Sequence, residues 1–243
     1  MSQPAAPRPI VLNVGITGHR AGVLTAPYVR SLRPVVSEVF NRLREAALNL
    51  QLAEEAFCSL TEARLLLHTG LASGADQIAA KYARSNGYRV HAVLPFEPDE
   101  YRKDFAKGRE LHRFERALAA ADDIIALPGQ RSDLEAAYVL VGESLVRKAD
   151  VIVAIWDGQA ARGPGGTAEV VGLALRNSVP VIHVDISGGS DSIRTRALIE
   201  DGETAVDDPE LYARVLRGAF KLDRSWSSAS SGTRRRRASG WPV

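Results

Sequence analysis

Residues 64–94 read RLLLHTGLASGADQIAAKYARSNGYRVHAVL. It opens on a short apolar run, Arg64–Leu67, crosses a turn of small and polar residues, Thr69–Asp76, and goes on as an amphipathic segment, Ala75–Asn86. Asn86-Gly87 is a helix-stop signal, because both residues tolerate the left-handed backbone that helix ends adopt. Arg89–Leu94 follows as a second apolar run, closed by Pro95. A strand, a glycine-rich turn, a helix and another strand in about thirty residues predict parallel strands joined by a crossover helix.

The same alternation runs outward in both directions. Ile10–Val14, Asp123–Leu127, Val151–Trp156 and Pro180–Asp185 are further short runs, mostly apolar on both faces, as expected for parallel strands covered by helices. Between the first two strands, Val29, Leu32, Val35, Val36, Val39, Phe40, Leu43, Ala47 and Leu50 recur every three or four residues, which predicts one long helix with a kink at Pro34. Helices are also predicted over Glu100–Ala121, Leu134–Lys148, Thr167–Asn177 and Pro209–Phe220. The fold class is α/β with a mainly parallel sheet.

At 243 residues the chain suits one sizeable domain, since single cores grow up to about 250 residues before chains split. Its 45% apolar and 25% charged residues are those of a soluble globular protein. Cys58 is the only cysteine, so an internal disulfide and a multi-cysteine metal site are excluded, in keeping with a reducing compartment. The start of the chain has no apolar targeting segment and no run reaches the ~18 apolar residues of a membrane span, which predicts a cytoplasmic protein.

Charge is unevenly spread. Residues 221–243 hold six basic residues against Asp223 alone, a net +5, so that the total of +2 leaves −3 on the rest. An acidic body makes nucleic acid an unlikely partner, because attraction to phosphates is mainly electrostatic. The Ser- and Arg-rich tail 221–243 and the proline-containing residues 1–9 are expected to be disordered, with the folded domain at 10–220.

In a parallel sheet, ligands bind where strands end and helices begin, and three turns fit that place. GITGHR (Gly15 to Arg20) follows the first strand, TGLASGAD (Thr69 to Asp76) the second and GPGGTAE (Gly163 to Glu169) the fifth. Glycines such as Gly15, Gly18, Gly70, Gly74, Gly165 and Gly166 let backbone N–H groups approach an anion closely. Arg20 can neutralise a phosphate, and Thr17, Ser73 and Thr167 can donate hydroxyl hydrogen bonds. His19 is either a ligand contact or a cap. Asp76 and Glu169 each open a helix, where a carboxylate favours the dipole or partners a ribose. Trp156 and Asp157 can stack on a base and bond a ribose, or close the core. His68, His91 and His183 lie on or beside apolar strands and are expected to be structural; no metal and no cofactor are expected. Neither GxGxxG nor GxxxxGK[ST] occurs, which disfavours a dinucleotide fingerprint and ATP hydrolysis.

The stretch TGLASGADQIAAKYA (Thr69 to Ala83) with GYRVHAVLP (Gly87 to Pro95) resembles the glycine-rich turn, helix and strand of the DNA-processing protein DprA/Smf, and GGTAEVVGLA (Gly165 to Ala174) is similar to the LONELY GUY (LOG) motif. Both belong to the SLOG superfamily, and the resemblance spans roughly Ile10 to Asp185. It implies a Rossmann-like three-layer sandwich that binds a nucleotide or nucleotide-derived signal, as a bacterial sensor module, with homo-oligomerisation possible. LOG enzymes cleave N-glycosidic bonds and carry PGGxGTxxE, whereas here Thr167 and Glu169 are one residue closer. The GGTAE form is also similar to nucleoside deoxyribosyltransferases, where an acidic residue attacks the anomeric carbon. Both enzymatic alternatives assign Glu169 as the catalytic residue. DprA-like single-strand DNA binding is a third reading.

Overall fold

The computed structural model describes residues 9–53, 63–160, 165–198, 204–206 and 210–220. Residues 1–8, Cys58, Gly163, Pro164, Pro209 and the tail 221–243 lie outside the described residues.

All six expected strands form and pair in parallel: β1 (Val11–Gly18), β2 (Arg64–Thr69), β3 (Arg89–Leu94), β4 (Asp123–Ala126), β5 (Val151–Trp156) and β6 (Val181–Asp185). Two further strands, β7 (Arg194–Leu198) and β8 (Thr204–Val206), add on antiparallel, giving the order β4-β3-β2-β1-β5-β6-β7-β8. The sequence reading missed β7 because it alternates charge with small residues: Thr195 and Ala197 are buried while Arg194 is exposed, the mark of an antiparallel strand covered on one side. Arg196 pairs with Asp185 across this junction.

Helices cover both faces. α1 (Ala26–Ala53), α2 (Ala75–Ser85), α4 (Arg109–Ala119) and α7 (Leu211–Ala219) pack beside one another, and their apolar stripes meet Leu12, Val14, Ile16, Val153 and Ile155 in the main core. α5 (Leu134–Lys148) and α6 (Thr167–Arg176) lie on the opposite face, over Val93, Ile152 and Ala154. The result is the three-layer, Rossmann-like α/β sandwich.

Three local expectations are corrected. Helix α1 runs unbroken through Pro34, which sits on its exposed side, where water can reach the carbonyl that loses its partner. The segment read as one helix from Glu100 to Ala121 is broken into α3 (Pro98–Tyr101), a tighter turn at Arg102–Asp104, and α4. Phe105 is extended and Gly108 takes φ +93, and the break lets Tyr101, Phe105 and Phe114 pack their rings together. Strand β1 continues four residues past Val14 by pairing Gly15–Gly18 with Ile152–Ile155 of β5, and a Cβ on Gly15 would stand 2.4 Å from Ile152 Cδ1 of that strand. Gly15 is therefore a packing glycine inside the sheet, and the turn begins only at His19.

Candidate functional site

The sheet order reverses at β1. The chain leaves β1 toward β2 by way of α1 on one face, and returns from β4 to β5, on the other side of β1, by way of α5 on the opposite face. Diverging connections at such a switch point leave a crevice outside the carboxyl ends of the strands. A cleft of about 380 Å³ opens there, within the range of about 300–1,000 Å³ typical of small-ligand sites.

Thr17 and Gly18 line it from β1, His19 and Arg20 from the turn after β1, Gly70 and Asp76 from the turn after β2, Trp156 from β5, and Gly165, Gly166 and Thr167 from the start of α6. Ser73 and Gly74 sit behind the lining and join two of the turns. Arg20 and Gly74 form an antiparallel bridge, Ala21 N–H donates to the Ser73 carbonyl at 3.1 Å, and Ala75 N–H donates to the His19 carbonyl at 3.0 Å. Gly74 holds φ +108, and a Cβ would lie 2.5 Å from the His19 carbonyl oxygen, so only glycine lets the two turns come this close. Asp157 reaches the cleft through His19, whose Nε2 stands 3.0 Å from Asp157 Oδ1, near enough for an ion pair though outside hydrogen-bond angles.

Glu169 does not line this cleft. It lines an adjoining cavity of about 510 Å³ between α5 and α6, and its Oε2 accepts the Gly165 N–H at 2.6 Å. The carboxylate thus satisfies an orphan donor at the start of α6, whose N-cap Gly166 offers no side chain for the task.

Two charged side chains face the cleft, the buried Asp76 and the solvent-exposed Arg20. Asp76 Oδ2 accepts the Thr69 hydroxyl and the Ala72 N–H, both at 3.3 Å. Burial pushes this carboxyl up to about 6, against the pull of those hydrogen bonds and of Arg20. The Arg20 guanidinium lies over the Tyr138 ring at 5.0 Å. Burial works against its charge, but its hydrogen bond with Tyr138 and the field of Asp76 prevail and hold its pKa above the ordinary value. Tyr138 in turn donates its hydroxyl to Asp104, which Arg131 also engages at 2.5 Å.

Tyr138 and Tyr101, from α5 and α3, belong to the cleft lining and were not singled out from the sequence. The available signal was positional, since both helices follow strands whose carboxyl ends lie on this rim. None of His68, His91 and His183 lines the cleft. His68 Nε2 meets Asn13 Oδ1 at 3.1 Å, and burial with the neighbouring His91 lowers its pKa to about 4. His183 Nε2 meets the Trp156 carbonyl at 3.0 Å. Among the described residues no cluster of three or more His, Cys, Asp or Glu could hold a metal, and no helix is long and apolar enough to cross a membrane.

No family model and no curated protein matches the chain. Solved structures do. The chain is similar to TM1055, a structural genomics target, at 19% identity and TM-score 0.41, over 70% of this chain and 72% of that one. It is similar to DNA processing protein A (DprA) from Streptococcus pneumoniae at 16% identity and TM-score 0.45, over 71% of this chain and 50% of that one. The molybdenum cofactor carrier protein of Chlamydomonas reinhardtii aligns at 20% identity and TM-score 0.35, over 72% and 76%. The likeness is one of fold, and what those proteins bind or process is a property of theirs.

Proposed function

We propose that the chain binds a nucleotide or nucleotide-derived small molecule in the cleft at the β1/β5 switch point, and acts as a ligand-binding module. The observation that carries this reading is the meeting of Gly18, Arg20, Gly70 and Gly166 around one cleft whose lining holds a single guanidinium. The first turns of α2 and α6 both start at this rim without a side-chain cap, and their dipoles favour an anion there. Trp156 and Tyr138 supply flat surfaces for a base, and the His19–Asp157 pair supplies polar contacts for a sugar.

Binding is favoured over turnover by the position of Glu169. Its carboxylate accepts the Gly165 N–H and borders the neighbouring cavity instead of lining the cleft. The protein is expected to release no free base from nucleoside monophosphates or deoxynucleosides, as followed by chromatography. Mass spectrometry of the small molecules released from the purified protein tests the binding reading. A nucleotide or a nucleotide-derived phosphate ester is the expected result; a phosphate-free ligand contradicts it.

A further inference from the structure

Asp76 is the one carboxylate lining the cleft, and it has little water to solvate its charge, being 7% exposed. Arg20, from the turn after β1, is the cation that faces it. Tyr101 from α3 and Tyr138 from α5 are the other titratable side chains around it, and burial raises both hydroxyl pKa values, so both stay neutral. From its own turn come only the Thr69 hydroxyl and the N–H groups of Gly70 and Ala72. Asp104 stands behind Tyr138, and His19 with Asp157 lies at the end of β1.

An anion that pairs with Arg20 therefore enters the field of a second, poorly solvated anion. Two like charges in one such site do not both stay ionised cheaply, and one of them takes up a proton. We propose that the cleft binds its phosphate-bearing ligand together with one proton from solvent, which the Asp76 carboxylate takes up, turning that group from a hydrogen-bond acceptor into a donor toward the ligand. No covalent bond of the ligand forms or breaks. The inference rests on the nucleotide-binding reading above and adds to it a link between ligand affinity and pH.

The sign follows from the carboxyl's environment. In the free protein Asp76 titrates at about 6, so it is mostly ionised at pH 7.5. The bound anion raises it further, and affinity then strengthens as pH falls toward 6 and weakens as pH rises. A phosphate ester cannot imitate this effect. Its second pKa is about 6, and pairing with a guanidinium favours its dianion, which releases protons on binding.

The test is calorimetry with AMP and GMP at pH 7.5, in buffers of different ionisation enthalpy, on the full chain. The wild type is expected to take up about 0.5 to 1 proton per ligand, with Kd rising severalfold per pH unit above neutrality. Asp76→Asn, which keeps an acceptor for Thr69 and Ala72, is expected to take up none and to lose the weakening of affinity above neutrality. His19→Gln is expected to keep the uptake, whatever its affinity. Nucleotide binding by the wild type without proton uptake overturns the inference alone, as does uptake that survives Asp76→Asn; the wild-type measurement decides even if that variant does not fold. No binding of either nucleotide overturns the inference and the binding reading together.

Discussion

The cleft has two unlike walls. On the β1/β2 side, two turns hold each other through the Arg20–Gly74 bridge and paired backbone hydrogen bonds, over a main core that includes Ile16, Leu71 and Ala75. On the α6 side, the Gly165–Glu169 turn is held at its start by the Glu169 carboxylate, at an exposed position. The first wall is tied by backbone hydrogen bonds between two turns, whereas the second carries a side-chain hydrogen bond at its entry and packs Gly165 against Tyr138. The one guanidinium of the cleft lining, Arg20, belongs to the first wall, and Gly165 and Gly166 belong to the wall that opens α6.

The most damaging way to break the first wall is Gly74→Ala. A Cβ there meets three backbone atoms within 2.7 Å, at a φ of +108 that side chains avoid. A stability loss of roughly 3 kcal/mol is expected in denaturant unfolding. A loss below 1 kcal/mol would mean that the two turns are not locked together.

Asp76→Asn acts in the opposite direction. The folded-state carboxyl sits at about 6 against an ordinary 3.8, so folding favours the protonated acid. That stability is fully present below the ordinary value and is lost as pH rises through the folded one. The variant is therefore expected to be more stable than wild type at pH 8, by up to roughly 3 kcal/mol, and close to it at pH 4. Thermal melts at the two pH values decide this; equal differences at both would remove Asp76 as a buried charge.

On the second wall the effects are small. Glu169→Ala leaves the Gly165 N–H without its acceptor and is expected to cost about 1 kcal/mol or less, while Glu169→Gln, which keeps an acceptor, is close to neutral. A loss as large as that from Gly74→Ala would make the two walls equivalent.

Much of this contrast was legible in the sequence. Short apolar runs closed by glycine or proline marked six strands, because most of these parallel strands are buried on both faces, with only the edge strand β4 open to solvent. Gly74 and Gly18 stood out as turn glycines, and the structure gives them the close approaches that glycine allows. What escaped the reading depends on tertiary contact. The Tyr101–Phe105–Phe114 packing breaks a segment that reads as helical throughout, and β7 is held by pairing with β6 more than by its own propensity. Glu169 was legible as a helix-start carboxylate, but its hydrogen bond to Gly165, and hence its turn away from the cleft, required coordinates. Tyr138 was hidden inside a helix whose apolar residues gave no reason to single it out.

The most direct test of the account is the dissociation constant of a nucleoside monophosphate for wild type and for Arg20→Ala, measured by calorimetry alongside melting curves. Removing the one guanidinium of the first wall is expected to weaken binding by about 1.5–3 kcal/mol, the value of a hydrogen bond to a charged group, and to leave melting nearly unchanged. An unchanged dissociation constant would place the anion elsewhere and contradict the cleft as the binding site.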